Sequence, residues 1–160
     1  MIDSNKHNLF MEQAFEQAQH ALAYDEVPIG AVLVYQDEII ARAGNKVERL
    51  GNATKHAELL CIDAACSYFK DQEIASKRLP ECDLYVTLEP CTMCAGAIAH
   101  ARIRHLYYAA KDIKGGGIES GVRFFEQPTC HHKLQVTQMK SFEERSANLL
   151  QSFFKEKRQK

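Results

Sequence analysis

No run of apolar residues in this 160-residue chain approaches the eighteen or so that a membrane-crossing helix needs, so nothing in it reads as a helical span. No signal peptide is visible at the start, and the chain reads as cytoplasmic. Internal repeats, low-complexity tracts and linkers are also missing. The length suits a single domain over residues 1–160, with a core large enough that neither metal nor disulfide is needed merely to fold it. An excess of one charge is lacking too, because 20 Lys and Arg against 21 Asp and Glu leave a net −1. That excludes a molecule basic all over, and any contact with nucleic acid must come from local clusters. Two exist: Lys155, Lys157, Arg158 and Lys160 at the C-terminus, and Lys111, Lys114 and Arg123 before them. Taken alone, such runs are solvated helix ends favoured by the helix dipole. Without an export signal, the six cysteines do not imply disulfides. Cys61, Cys66, Cys82 and Cys130 read as small buried hydrophobes, which leaves only the spacing of Cys91 and Cys94 to call for chemistry.

Periodicity places these residues. Phe10, Ala14, Phe15, Ala18, Ala21 and Leu22 recur at helical spacing, predicting an amphipathic helix over residues 8–23 after a frayed polar start, Met1 to His7. Residues 28–35 predict a buried strand that turns through Gln36-Asp37-Glu38 into a hairpin partner over 39–42. Residues 43–55 read as irregular, 56–69 as helix and 83–88 as strand. Proline fits the first turn of a helix, so Pro90 is expected to open one that runs to about Ala101. Strands over 104–110 and, more weakly, 133–139 follow, with a loop and a short helix between them. Phe142, Leu149, Leu150, Phe153 and Phe154 line one face of a final helix whose other face is charged. Strands alternating with helices predict an α/β domain in which helices cover a mixed sheet.

A Cys-x-x-Cys pair alone fits a structural zinc, a redox pair or chance. Structural zinc usually takes four protein ligands, and no second Cys-x-x-Cys or His-x-x-x-His accompanies this one. Its setting is more specific. Cys91 and Cys94 open a helix just after a buried strand, where residues three apart share a side and the positive helix end favours thiolates. A second helix opens with His56-Ala57-Glu58, offering a third ligand and a carboxylate two residues on. Two helix starts converging over a sheet edge would give three protein ligands and an open fourth position, the mark of a catalytic zinc. Glu58 is then placed to take a proton from an activated water and pass it to a nitrogen leaving group. The joint pattern His-x-Glu followed by Pro-Cys-x-x-Cys is the signature of zinc nucleobase deaminases.

On these motifs the sequence resembles the cytidine-deaminase superfamily and, within it, the bacterial tRNA adenosine deaminases. Residues 26–34 (EVPIGAVLV), 56–58 (HAE), 84–98 (LYVTLEPCTMCAGAI) and 149–154 (LLQSFF) carry the likeness in order, over nearly the whole chain. The resemblance implies a three-layer α/β/α fold around a mixed sheet of about five strands. It also implies one Zn2+ per chain, hydrolysis of adenosine to inosine at the anticodon wobble position, a tRNA anticodon stem-loop as partner, and a homodimer. By the same likeness Asn45 hydrogen-bonds the flipped base, Asp112 contacts the substrate backbone, and Phe153, Phe154 and Arg158 touch neighbouring anticodon nucleotides. Read as structure alone, Asn45 shapes a turn and the two phenylalanines belong to the core, so one ring is expected to pack inward and the other to meet RNA. The chain departs from the family pattern at Asn52-Ala53-Thr54-Lys55, where Asp-Pro-Thr-Ala is common, and its Lys70–Glu81 loop is longer than usual. Lys55 therefore adds a charge close to the pocket.

Two other readings compete. A deaminase of free bases or nucleosides, of guanine or cytidine type, would share the metal site and lack the RNA surface, and the two basic clusters weigh against it. A non-catalytic zinc or RNA-binding module would have no use for Glu58 beside an open position.

Overall fold

A computed structural model describes residues 4–159. Strands β1 (Gly30–Tyr35), β2 (Glu38–Gly44), β3 (Cys82–Leu88), β4 (His105–Ala110) and β5 (Gln135–Gln138) form one sheet in the order β2-β1-β3-β4-β5. β1 pairs antiparallel with β2 and β3, whereas β3, β4 and β5 run parallel, so the sheet is mixed as expected.

Alternation along the strands sorts side chains onto two faces. Ala31, Leu33, Leu84, Val86, Leu106 and Tyr108 belong to the core shared with Cys61, Ala65 and Phe69 of α3 (Ala57–Asp71) and with Ala95 and Ile98 of α4 (Thr92–His100). The intervening Val32, Val34, Tyr85 and Tyr107 meet Met11, Ala14 and Phe15 of α1 (Ser4–Leu22) and Phe142. Phe142 leads into α5 (Glu143–Arg158). The result is three layers, α/β/α. At Gly30 a Cβ would fall on the backbone of Ala14 and Ala18, so only glycine lets α1 rest directly on β1. The Ser146 hydroxyl donates to the Thr87 carbonyl, which ties α5 to β3.

Several boundaries differ from the sequence reading, each through a tertiary contact. α1 begins at Ser4 rather than residue 8, and His7 hydrogen-bonds the Tyr85 hydroxyl and stacks on Tyr107 with ring centroids 4.6 Å apart. The expectation of a frayed start fails for Ser4 to His7, and Met1 to Asp3 lie outside the described residues. Within the stretch read as irregular, a four-residue helix α2 (Val47–Leu50) forms. The buried Glu26 carboxylate accepts its Glu48 and Arg49 N–H groups at 2.9 and 2.8 Å. Pro90 does not start a helix: Cys91 is extended (φ −72°, ψ 173°) and bridges Gly116, so α4 begins at Thr92. The short helix expected between β4 and β5 is a single 3-10 turn, Phe124–Glu126. Among the described residues no helix is long and apolar enough to cross a membrane.

Candidate metal centre and proton-transfer site

Two helix starts meet beyond the end of β3. His56 is the residue before α3 and Cys91 the residue before α4, both with extended backbone, while Cys94 is the third residue of α4. This brings His56 Nδ1 to 3.6 Å from Cys91 Sγ and 3.6 Å from Cys94 Sγ, and all three ligand atoms lie within 4.8 Å of one another. In tetrahedral geometry, Zn–S of about 2.3 Å and Zn–N of about 2.0 Å put N and S about 3.5 Å apart. The donor set therefore fits one zinc ion. His56 and Cys91 are half-buried and Cys94 is fully buried, so the cluster is reached from one side.

The electrostatics prepare the same site. The Cys94 thiol beside it, and then His56, push Cys91 down to about 4 against the cost of burial, so its sulfur is a thiolate at neutral pH. Cys94 is held far above the ordinary thiol range by Cys91 and by burial, so without a cation the pair keeps one proton. The hydrogen bond to Cys91 raises His56. Glu58, in the first turn of α3, is 4% exposed, and burial pushes its carboxyl up to about 7. A carboxyl in that range can both take and release a proton near neutral pH.

The remaining predicted residues do not all gather here. Asn45 is 5% exposed, and its Oδ1 accepts the Ala57 N–H at 2.8 Å, which satisfies one of the donors left open at the start of α3. Its amide nitrogen stays available to another acceptor. The Asp112 Oδ1 accepts the Gly115 N–H at 2.9 Å, shaping the loop after β4 that runs back alongside Pro90 and Cys91. At the end of α5, Phe153 is 6% exposed and Phe154 44%. Phe154 and the exposed Arg158 are thus the surface members of that group. Lys157 pairs with Asp25 and sits over the Phe153 ring at 5.6 Å, and Arg123 pairs with Glu126 at 2.8 Å, so neither is a free cation. Lys160 lies outside the described residues.

The sequence reading missed Glu89. This carboxylate is 2% exposed and accepts the N–H groups of Asp112, Ile118, Glu119 and Ser120 together with the Ser120 hydroxyl, at 2.9 to 3.2 Å. Burial pushes its carboxyl up, but the five donors outweigh that and hold it below the ordinary range. An acidic residue closing an apolar strand, just before Pro-Cys, was the signal available. Glu26, which caps α2 from 22 residues away, was missed for the same reason.

Comparison with known proteins places this geometry in context. The MafB19-like deaminase family matches residues 5–158. A tRNA-specific adenosine deaminase of Agrobacterium fabrum is 55% identical over 149 residues, 93% of this chain and 94% of that protein. A solved structure from a study of A-to-I editing by tRNA:A34 deaminases at the wobble position of transfer RNA superposes with a TM-score of 0.82. It shares 54% identity and covers 89% of this chain and 99% of that one. A guanine deaminase of Bacillus subtilis is 31% identical with a TM-score of 0.62, covering 84% and 85% of the two chains.

Proposed function

This chain belongs to the MafB19-like deaminases, and from that premise we propose that it is a tRNA adenosine deaminase that hydrolyses adenosine to inosine at the anticodon wobble position. The observation that carries the reading is one cluster: three soft and borderline ligands on two helix starts, with a buried carboxyl tuned to about 7 beside them.

His56, Cys91 and Cys94 would hold one Zn2+, leaving the fourth side open. When bound, the ion supplies the Lewis acidity that makes hydroxide available near neutral pH. Glu58 moves the protons. Its carboxylate takes one from the attacking water and delivers it to the purine nitrogen. It then takes the second from the hydroxyl now on the attacked carbon and passes it to the amino group, so that the C–N bond breaks, ammonia leaves and the carbonyl of inosine forms. Asn45 positions the base through its amide N–H donors, its oxygen being committed to Ala57. The target base must leave the anticodon stack to reach this site, so its neighbours need holding. Asp112, Phe154 and Arg158 are proposed to hold them, with Phe153 supporting Phe154 from the core through an edge contact at 5.3 Å. Exposed Met93, between Cys91 and Cys94 in the first turn of α4, leaves apolar surface near the site that a second copy of the chain is proposed to cover.

The likeness to a guanine deaminase keeps free-base deamination as the second reading. Purified protein incubated separately with bulk tRNA and with free adenosine, cytidine and guanine decides between them. The proposal predicts inosine in tRNA with little turnover of the free compounds. Rapid guanine deamination with tRNA untouched would overturn it.

A further inference from the structure

The most exposed large apolar side chain among the described residues is Ile113, at 84%. A lone exposed aliphatic residue is ordinary on a protein surface. The backbone beneath this one is not. Glu89 receives four N–H groups of the loop, from Asp112 at one end to Ser120 at the other, and the Ser120 hydroxyl as well. Inside that span the Asp112 carbonyl accepts the Gly116 N–H at 2.7 Å, and the Gly117 N–H donates to the Pro90 carbonyl at 2.8 Å. Gly116 bridges Cys91 directly, and a Cβ there would stand 2.6 Å from the Glu89 carboxylate, so the backbone has closed onto its anchor. A loop so fastened beside a metal ligand holds its tip in place, and that tip points an isoleucine into water where it gives the core nothing. Lys111 and Lys114 flank it, both exposed and in no ion pair among the described residues.

We infer that Lys111 to Lys114 form a preformed RNA-contact finger: Ile113 packs on the nucleobase next to the extruded adenosine, Lys111 and Lys114 meet flanking phosphates, and Glu89 is the positioning residue that holds the finger. The inference rests on the tRNA reading. Extrusion of a base leaves its neighbour with an uncovered face, and an apolar side chain at the groove is a known way to cover or wedge such a step. The paired cations favour RNA over an apolar protein partner as the occupant. A nucleic-acid backbone supplies phosphates on both sides of a base, and a protein surface has no such repeat.

The test titrates wild-type zinc-loaded protein and its variants with an anticodon stem-loop that carries the wobble adenosine and a 2-aminopurine at the adjacent nucleotide, across a series of salt concentrations. Ile113→Ser is expected to weaken binding about tenfold, from the apolar area it no longer buries, with an unchanged salt slope. It should also lose the change in 2-aminopurine emission on binding. Its melting temperature should match the wild type, because the side chain is already in water. Lys111→Ala and Lys114→Ala should each flatten the slope of log Kd against log salt by about 0.7, the value for one single-stranded phosphate contact. Glu89→Gln should speed amide exchange at Asp112, Ile118, Glu119 and Ser120 and weaken RNA binding in parallel. Wild-type affinity and wild-type emission in Ile113→Ser would overturn the inference while leaving the tRNA reading intact. A wild-type protein that binds no stem-loop would overturn the tRNA reading itself.

Discussion

Asn45 has one job the structure shows and one proposed for it, and a pair of substitutions can separate them. Its Oδ1 accepts the Ala57 N–H at 2.8 Å in a site only 5% exposed, and its amide nitrogen is the group proposed to hold the base. Asn45→Ala orphans a buried N–H at the start of α3, which costs about 1–3 kcal/mol. At about 2–4 °C per kcal/mol for a chain of this size, melting should fall by several degrees. Ala57 lies between His56 and Glu58, so the same change should loosen zinc binding. Asn45→Asp keeps the acceptor and removes the amide donors. It should melt near the wild type yet lose tenfold or more in kcat/KM on an anticodon stem-loop, because a carboxylate now faces the acceptors of the base. Calorimetry and steady-state kinetics on the two variants provide the readout. If Asn45→Asp melts as low as Asn45→Ala, the helix-capping role is refuted. If it retains full activity, the base-holding role is.

Elemental analysis of the purified protein should find about one zinc per chain, and Cys91→Ala should lose most of it, since two ligands rarely retain the ion. Full zinc content in that variant would remove the site. Phe153→Ala should cost about 3–5 kcal/mol in urea unfolding because the ring is 6% exposed, whereas Phe154→Ala should spare stability and weaken stem-loop binding. Equal stability loss in both would place both rings in the core. Burial holds His105 below its ordinary value of 6.5 where it stacks on Tyr107 at 4.0 Å. The unfolded chain therefore protonates first as pH falls below 6.5, and this residue's share of stability is lost on acidification. His105→Gln should flatten the fall in melting temperature as pH drops below 6.5, and an unchanged profile would show that other groups set it.

The His-Cys-Cys group was legible because its chemistry is written in short spacings: two residues separate the cysteines, one separates His56 from Glu58, and each motif opens a helix that periodicity already marks. The unbroken apolar run Ala31-Val32-Leu33-Val34 likewise announced a buried strand, and the structure has helices on both its faces. What the sequence concealed is held by partners far along the chain. α2 exists because Glu26 caps it from 22 residues away, and His7 is helical because Tyr85, 78 residues on, anchors it. Glu89 has no periodic signature at all, since its five donors come from an irregular loop more than twenty residues downstream. The basic C-terminal cluster looked uniform in sequence, yet the fold pairs Lys157 with Asp25 and leaves Lys155 and Arg158 exposed.

Water, activated beside Glu58, is proposed to replace the amino group of the wobble adenosine. An anticodon stem-loop incubated in water enriched in 18O, with wild-type protein and with Glu58→Gln, tests it by mass spectrometry of the isolated nucleosides. Inosine at the wobble position should carry the solvent's oxygen. Glu58→Gln, with zinc and fold retained, should be slower by about a hundredfold or more, since an amide cannot carry the proton. Unmodified adenosine with the wild type, or a Glu58→Gln variant within tenfold of its rate, would contradict the proposal.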